Sequence, residues 1–356
     1  MNTDLHTLTD QAIGLLKQLI ATPSFSKEEN ETAELICAFF TSLGVEHARV
    51  GNNIYAKNRH YDESRPSVLL NSHHDTVKPN AKYTRDPFEP VEEDGKLYGL
   101  GSNDAGGCLV SLIATFLYFY DKSDLNHNVV FAASAEEEIS GVNGIELVLP
   151  YLGHIDFGIV GEPTKMDMAV AERGLMVIDC IAQGRAGHAA RNEGENALYI
   201  ALEDINWIRH CRFEKVSPLL GESRMTVTVI GTENQQHNVV PPQCRFVIDV
   251  RVNELYTFDE ILASLKENIK SQFKPRTTRM KSTAIAMDHP LVQAGISLGR
   301  SYYGSPTTSD KALMPFPALK MGPGDSARSH TADEYIYTDE IRDGIALYIQ
   351  LLNKVI

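Results

Sequence analysis

The chain has 356 residues, of which 43% are hydrophobic and 22% are charged, and this is the composition of an ordinary folded globular protein. Its length favours two domains over one. The net charge of -14 and the lack of any lysine- or arginine-rich run argue against nucleic-acid binding.

The sequence favours a cytoplasmic protein that stays in solution. Its first eleven residues are polar, carry two aspartates and lack the apolar core of a signal peptide. The longest strongly apolar stretch, residues 108–120, falls short of the ~18 residues that cross a membrane. The five cysteines are odd in number and form no zinc-knuckle spacing, which is typical of reduced thiols.

Helices and strands are predicted to alternate through the first 173 residues. Apolar periodicity predicts helices over 8–20, 27–43 and 105–120. Apolar runs predict strands over 47–54, 67–71, 128–133 and 157–160. This alternation predicts an α/β domain with a sheet flanked by helices.

A second domain is predicted as an insertion between residues 174 and 283. The pattern there is βαββαβ, with strands at 175–182, 224–230, 244–252 and near 277–280, and helices at 196–211 and 257–273. The first domain then resumes with a helix over 290–302, a strand over 318–321 and a helix over 339–352. We therefore expect one domain formed by 1–173 and 284–356, and an inserted domain formed by 174–283.

Metal-binding side chains follow the ends of several apolar runs. Ser72-His73-His74-Asp75 comes directly after the strand at 67–71. A histidine one residue from an aspartate is typical of a metal ligand with the carboxylate that orients it. Either histidine could be the ligand on this evidence, but side-chain alternation and the His-x-Asp spacing favour His73 over His74.

Carboxylates follow the next two strands in the same way. Glu136-Glu137-Glu138 comes after 128–133, and Glu162 comes after 157–160. Adjacent glutamates usually start a solvated helix. At the end of a buried strand, however, they repel each other unless a cation neutralises one, which leaves another free as a base. His330, in the loop after the strand at 318–321, would by itself be an ordinary surface histidine.

Asp104 ends a glycine-rich segment, Gly99-Leu-Gly-Ser-Asn-Asp104, that superficially resembles a dinucleotide fingerprint. The resemblance fails because Asp104 occupies the third glycine position, where its charge would repel a pyrophosphate. At the start of the predicted helix over 105–120, a carboxylate stays ionised and suits bridging between two cations.

Taken in order, His73-x-Asp75, Asp104, Glu137-Glu138, Gly-Glu162-Pro-Thr and His330 resemble the motifs of a known family. This is the family of co-catalytic zinc metallopeptidases and deacylases that includes acetylornithine deacetylase and succinyl-diaminopimelate desuccinylase. The resemblance spans nearly the whole chain. It implies a zinc-peptidase-like catalytic domain and an inserted domain that acts as a lid and dimerisation domain.

The resemblance also implies roles for these residues. Two zinc ions per subunit are expected, with cobalt or manganese as substitutes. His73, Asp104 and Glu162 would hold one ion, and Asp104, Glu138 and His330 the other. Asp75 would orient His73, and Glu137 would be the general base, with Glu136 a bystander.

Four residues of the inserted domain or its border complete the site that the resemblance implies. His188 would stabilise the oxyanion from the partner subunit of a homodimer. Arg173, Arg251 and Asn238 would bind substrate, and guanidinium groups suit a substrate carboxylate. Without the resemblance, His188 would be interpreted as a histidine at the end of a strand, and Arg173 as one partner of a surface ion pair. Arg328 receives no role.

The sequence thus predicts a metal-dependent amidohydrolase that acts on an N-acyl amino acid. Within the family we expect acetylornithine deacetylase-like activity, which releases acetate and ornithine or citrulline in arginine biosynthesis. One alternative is an N-succinyl amino acid desuccinylase, since an added carboxylate could be served by arginines. Another is a dipeptidase or aminopeptidase of the same fold, and a more remote one is an inactive metal-binding regulatory protein.

Overall fold

The computed structural model describes residues 4–356, and the first three residues of the polar N-terminal segment lie outside it. The α-helices are α1 (Leu5–Ile20), α2 (Asn30–Ser42), α3 (Gly107–Tyr120), α4 (Ile145–Leu152), α5 (Ala197–His210), α6 (Phe258–Asn268), α7 (Pro290–Ser297) and α8 (Thr338–Leu352). The strands are β1 (His47–Val50), β2 (Asn53–Lys57), β3 (Ser67–His73), β4 (Val91–Glu93), β5 (Lys96–Tyr98), β6 (Asn128–Ser134), β7 (Phe157–Val160), β8 (Met168–Glu172), β9 (Gly174–Gln183), β10 (Gly187–His188), β11 (Arg224–Gly231), β12 (Val239–Val240), β13 (Gln243–Val252), β14 (Gln272–Pro275), β15 (Thr283–Ala284), β16 (Tyr302–Ser305), β17 (Ala318–Lys320) and β18 (Tyr335–Tyr337).

The chain forms two compact units. The first contains the residues up to 170 together with 284–303 and 309–356, and the second contains 171–283 and 304–308. Across residues 4–356, no helix combines the length and the apolar character needed to cross a membrane.

The first unit is organised by a mixed sheet with the strand order β1-β2-β6-β3-β7-β17-β8-β15. Strand β3 runs parallel to β6 and to β7, and β7 runs parallel to β17. Every residue of β3, β6 and β7 is buried, which explains their continuous apolar runs. The carboxyl ends of the parallel strands β3, β6, β7 and β17 lie at one edge of the sheet. The predicted α/β fold is confirmed.

Helix α3 buries every residue except Tyr118. The longest apolar stretch of the sequence is therefore a core helix. The predicted strand over 47–54 is instead the hairpin of β1 and β2, which turns at Gly51 with a φ of 60°. The predicted helix over 290–302 ends at Ser297, just before Gly299 adopts a φ of 75°.

The second unit is an antiparallel sheet with the order β11-β13-β9-β14. Alternate residues of β9 and β13 pack in one cluster with α5 and α6. The predicted helix over 257–273 was too long, because α6 ends at Asn268. Beyond it, the Asp204 carboxylate accepts hydrogen bonds from the backbone N–H groups of Lys270 and Ser271 and so draws the chain out of the helix. The last strand is consequently β14 and not the predicted 277–280.

Candidate active site

The predicted metal-binding side chains lie together at the carboxyl edge of the parallel strands. His73 Nε2 lies 3.4 Å from Asp104 Oδ1 and 3.8 Å from Glu162 Oε1. His330 Nε2 lies 3.5 Å from Asp104 Oδ2 and 3.1 Å from Glu138 Oε2. Asp104 therefore offers one oxygen to each of the two histidines.

The donor set fits a metal centre. His73 Nε2 is buried and makes no hydrogen bond within residues 4–356, although a buried polar atom normally has a partner. Its neighbours form two groups of ligand atoms within 4.8 Å of one another, His73 with Asp104 and Glu138, and His73 with Glu137 and Glu162. Mixed imidazole and carboxylate donors are a set that zinc accepts.

The carboxylates of this site repel one another. Burial, together with the Glu162 carboxylate, raises the pKa of Glu137 well above its usual value. Burial and the Asp104 carboxylate raise the pKa of Glu334 to about 8. Clustered carboxylates whose charged forms are disfavoured are the electrostatic signature of a site that binds cations.

The same negative charges also raise the pKa of the two imidazoles, because they stabilise the protonated, positively charged form of histidine. Burial alone would lower the pKa of His73, but the Asp104 and Asp75 carboxylates outweigh burial and hold that pKa well above its usual value. The Glu138 carboxylate raises the pKa of His330 to about 9. Both histidines must lose a proton before they can bind a cation.

Asp75 holds the backbone beneath the glutamates. Its Oδ1 accepts the Glu137 N–H at 3.0 Å, and its Oδ2 accepts the Glu138 N–H at 3.2 Å. His73 Nδ1 lies 3.0 Å from the backbone carbonyl oxygen of Asp75 and 3.4 Å from its carboxylate. The side chain that the sequence assigns to orienting His73 thus also fixes the segment that carries Glu137 and Glu138.

His74 and Glu136 are engaged elsewhere. His74 Nδ1 lies 2.9 Å from Thr32 Oγ1, and its Nε2 lies 2.9 Å from the carbonyl oxygen of Asn52. Both ring nitrogens of this buried histidine are therefore occupied. The Glu136 carboxylate accepts a hydrogen bond from the Asn143 side chain at 2.9 Å.

Asp104 precedes the helix instead of starting it. Helix α3 begins at Gly107, and the backbone at Asp104 is not helical. Gly101 has a φ of 75°, and a Cβ there would lie 2.6 Å from Thr76 Cγ2, so glycine is required. Glu334 binds this turn through its carboxylate. Sequence reasoning missed Glu334, because its bonds to this turn join residues that lie 230 or more positions apart in the sequence.

His188 and Asn238 are neighbours in the second unit. Strands β10 and β12 pair His188 with Val239, and the Ala189 N–H donates to the Asn238 carbonyl oxygen at 3.0 Å. Both residues are exposed. His188 Nδ1 accepts a hydrogen bond from the Ala190 N–H at 3.2 Å, which leaves the ring proton on Nε2 as a donor.

The two predicted substrate arginines are already anchored. Arg173 donates to the backbone carbonyl oxygens of Leu220 and Glu222. Arg251 pairs with Asp249 through two bonds of 2.8 and 3.0 Å.

Arg224 forms a positively charged cluster with these two arginines. It lies directly opposite Arg251 in the pairing of β11 with β13. Burial, with the positive charges of Arg224 and Arg251, lowers the pKa of Arg173. Like charges directly opposite on antiparallel strands cost stability, so this corner of the sheet is suited to an anion.

Arg328 has a structural role. Its guanidinium makes two bonds to Glu340, of 2.7 and 3.0 Å, and lies 4.8 Å from the centre of the Tyr335 ring. An arginine with a bidentate ion pair and an aromatic contact stabilises the fold, because its guanidinium group is occupied by partners within the protein.

The chain matches the model of peptidase family M20/M25/M40 over residues 69–354. It therefore belongs to this family. Its predicted nature as a metal-dependent amidohydrolase acting on linear amides is confirmed.

The most similar curated relatives include two succinyl-diaminopimelate desuccinylases. The enzyme of Rickettsia bellii is 27% identical over 276 residues, which cover 72% of this chain and 70% of the relative. The enzyme of Wolbachia pipientis is 26% identical over 374 residues, which cover 96% of this chain and 92% of the relative. These relatives agree better with the N-succinyl alternative than with the predicted acetylornithine deacetylase.

The fold is shared with solved peptidase structures. Aminopeptidase PepT from Bacillus cereus superimposes with a TM-score of 0.80 at 19% identity and covers 98% of both chains. A family M20 metallo-carboxypeptidase from Sulfolobus solfataricus superimposes with a TM-score of 0.75 at 16% identity, and covers 96% of this chain and 98% of its own.

Proposed function

We propose that this chain hydrolyses the amide bond of an N-succinyl α-amino acid. The observation that carries the proposal is the convergence of two imidazoles and four carboxylates at one sheet edge, with His73 Nε2 buried and unbonded within residues 4–356. The desuccinylases among its relatives support succinyl over acetyl as the acyl group.

The proposed centre holds two divalent cations, and zinc is the metal that we propose. His73, Asp104 and Glu162 are the proposed ligands of one ion, and Asp104, Glu138 and His330 those of the other. Such a pair of cations, when bound, supplies Lewis acidity to the scissile carbonyl and to the attacking water.

Glu137 is the proposed general base. It takes a proton from the attacking water and passes it to the departing amine when the C–N bond breaks, so the proton ends on the released amino acid. Asp75 fixes the Glu137 backbone through the 3.0 Å bond described above.

The arginine cluster is the proposed site of a substrate carboxylate. Arg173 and Arg251 are held in place by their own partners, and Asn238 is the proposed polar contact. An N-succinyl amino acid carries two carboxylates, one on the α-carbon and one on the acyl group. We propose that Arg224, an exposed residue, adds a donor for the second carboxylate.

We further propose a homodimer formed through the second unit. Strand β11 lies at the edge of its sheet and exposes Val229 and Ile230, of which 58% and 46% are accessible. An apolar edge strand is a template for pairing with a second chain. In this dimer the Nε2–H group of His188 would donate a hydrogen bond to the oxyanion in the partner's active site, as the family resemblance implies.

A matched substrate panel tests the proposed activity. The purified protein is loaded with Zn²⁺ and incubated with N-succinyl and N-acetyl forms of the same amino acids, and with dipeptides, and the released amine is measured. We expect the largest kcat/KM for N-succinyl substrates. A higher kcat/KM for the N-acetyl forms would favour acetylornithine deacetylase-like activity instead, and preferred cleavage of dipeptides would favour the peptidase alternative. No turnover of any substrate by metal-loaded protein would favour a regulatory protein.

A further inference from the structure

Glu334 is a buried carboxylate with an unusual set of partners. Only 2% of the residue is exposed. Its Oε1 accepts the backbone N–H groups of Asn103 and Asp104, both at 2.8 Å, and its Oε2 accepts the Gly101 N–H at 3.2 Å. A single side chain thus binds three of the four backbone N–H groups from Gly101 to Asp104.

The backbone of Glu334 binds the same segment from the other side. Its carbonyl oxygen accepts the Gly99 N–H at 3.0 Å, and the next residue, Tyr335, pairs with Tyr98 where β18 meets β5. The chain around Glu334 is therefore joined to the chain before Asp104 by both backbone and side-chain bonds.

This connection spans two distant parts of the sequence. Asp104 and His330 are 226 positions apart, yet Asp104 Oδ2 lies 3.5 Å from His330 Nε2. Glu334 lies four residues after His330 and bonds directly to the Asp104 N–H. Together with Asn103, which bonds to Asp325 and Ser329, Glu334 ties the segment bearing one proposed ligand to the turn bearing the other.

We propose that Glu334 is a positioning residue that sets the placement of the Asp104 carboxylate relative to His330 and thereby determines metal affinity. The inference rests on the proposed metal centre. Partners of metal ligands of this kind typically change metal affinity by about 10- to 100-fold when they are removed.

The neighbouring residue provides a matched control. The Asp333 carboxylate also accepts three hydrogen bonds, from Thr84 N–H at 2.8 Å, Arg85 N–H at 3.0 Å and Thr84 Oγ1 at 2.6 Å. These bonds hold an exposed loop and do not involve residues 99–104. Glu334→Gln and Asp333→Asn therefore make the same isosteric carboxyl-to-amide change in adjacent residues, each of which accepts three hydrogen bonds.

The two sites differ in how they tolerate an amide. In Glu334→Gln, Oε1 can keep its two bonds, but the new NH₂ group faces the buried Gly101 N–H, donor against donor. In Asp333→Asn, the new NH₂ group faces the Thr84 hydroxyl, which can rotate and accept. The isosteric change thus disturbs the turn at Asp104 only in the Glu334 variant.

The experiment titrates the metal-free wild type, Glu334→Gln, Glu334→Asp and Asp333→Asn with Zn²⁺ against a competing chelator. We expect about a 10-fold or greater loss of Zn²⁺ affinity in both Glu334 variants and less than a twofold change in Asp333→Asn. Far-UV circular dichroism of the metal-free proteins reports folding. Glu334→Asp keeps a carboxyl group but shortens the side chain, and it provides the test if Glu334→Gln does not fold.

Affinity within twofold of wild type in the Glu334 variants would overturn the inference, and so would an equal loss in Asp333→Asn. A wild-type protein that binds no Zn²⁺ would instead refute the proposed metal centre. The failures of the two proposals are therefore distinguishable.

Discussion

The replacement of Glu137 by glutamine tests whether this residue is the general base or a metal ligand, because the geometry permits either role. Glu137 Oε2 lies 3.9 Å from His73 Nε2, and Glu137 belongs to one of the two groups of ligand atoms. The family resemblance makes it the base and makes Glu138 the ligand. Because Asp75 accepts the N–H groups of both glutamates, an isosteric amide should leave their backbone in place.

We expect Glu137→Gln to keep two metal ions per chain and to lose about 10³-fold in kcat, equivalent to about 4 kcal/mol of transition-state stabilisation. The value lies within the usual range for a general base. Metal content is measured by inductively coupled plasma mass spectrometry after gel filtration, and kcat by amine release from the best N-acyl substrate.

The matched variant is Glu138→Gln, which should lose metal because Glu138 Oε2 lies 3.1 Å from His330 Nε2. Loss of metal in Glu137→Gln, with metal retained in Glu138→Gln, would show that base and ligand have been exchanged. Retention of near-normal kcat in Glu137→Gln would refute its role as the base.

Three further predictions follow from the proposed centre. His188→Ala should lower kcat without loss of metal. Mixing the His188→Ala and Glu137→Gln proteins should restore about one quarter of wild-type activity, because half of the dimers would be mixed and each mixed dimer would have one complete site of two. No recovery of activity would exclude action of His188 in the partner subunit. Zn²⁺ affinity of the metal-free protein should rise with pH up to at least about 9, because a cation must displace the proton that His330, with its pKa of about 9, carries below that pH. Isothermal titration at several pH values measures this, and a flat profile would contradict it. Arg224→Ala should lower kcat/KM for N-succinyl substrates about 10-fold more than for N-acetyl substrates, whereas Arg245→Ala on the neighbouring strand should not discriminate between them.

The cluster of histidines and carboxylates at the sheet edge could be predicted because it depends on buried strands. The ends of β3, β6 and β7 are visible in the sequence as apolar runs followed by His73, Glu137 and Glu162. The choice of His73 over His74 follows from side-chain alternation, and the bonds of His74 to Thr32 and Asn52 agree with it.

What escaped prediction depends on contacts between distant residues. Glu334 stands beside Asp333 and, in the sequence, looks like part of a solvated acidic pair, yet one is buried and the other lies on an exposed loop. Arg328 is satisfied by Glu340, twelve residues away, and no local pattern reveals this. The end of α6 is set by Asp204, a residue of another helix.

The division of the first unit into separate stretches of chain has a consequence for the order of assembly. Most of the second unit is one continuous stretch, 171–283, so it can fold as soon as it leaves the ribosome. The first unit needs β17 and α8, which are synthesised after the second unit, and the proposed ligand His330 lies between them. We therefore expect the second ion to be acquired only after β17 and His330 have been made, and a chain truncated before β17 to bind that ion poorly even if its inserted unit is fully folded.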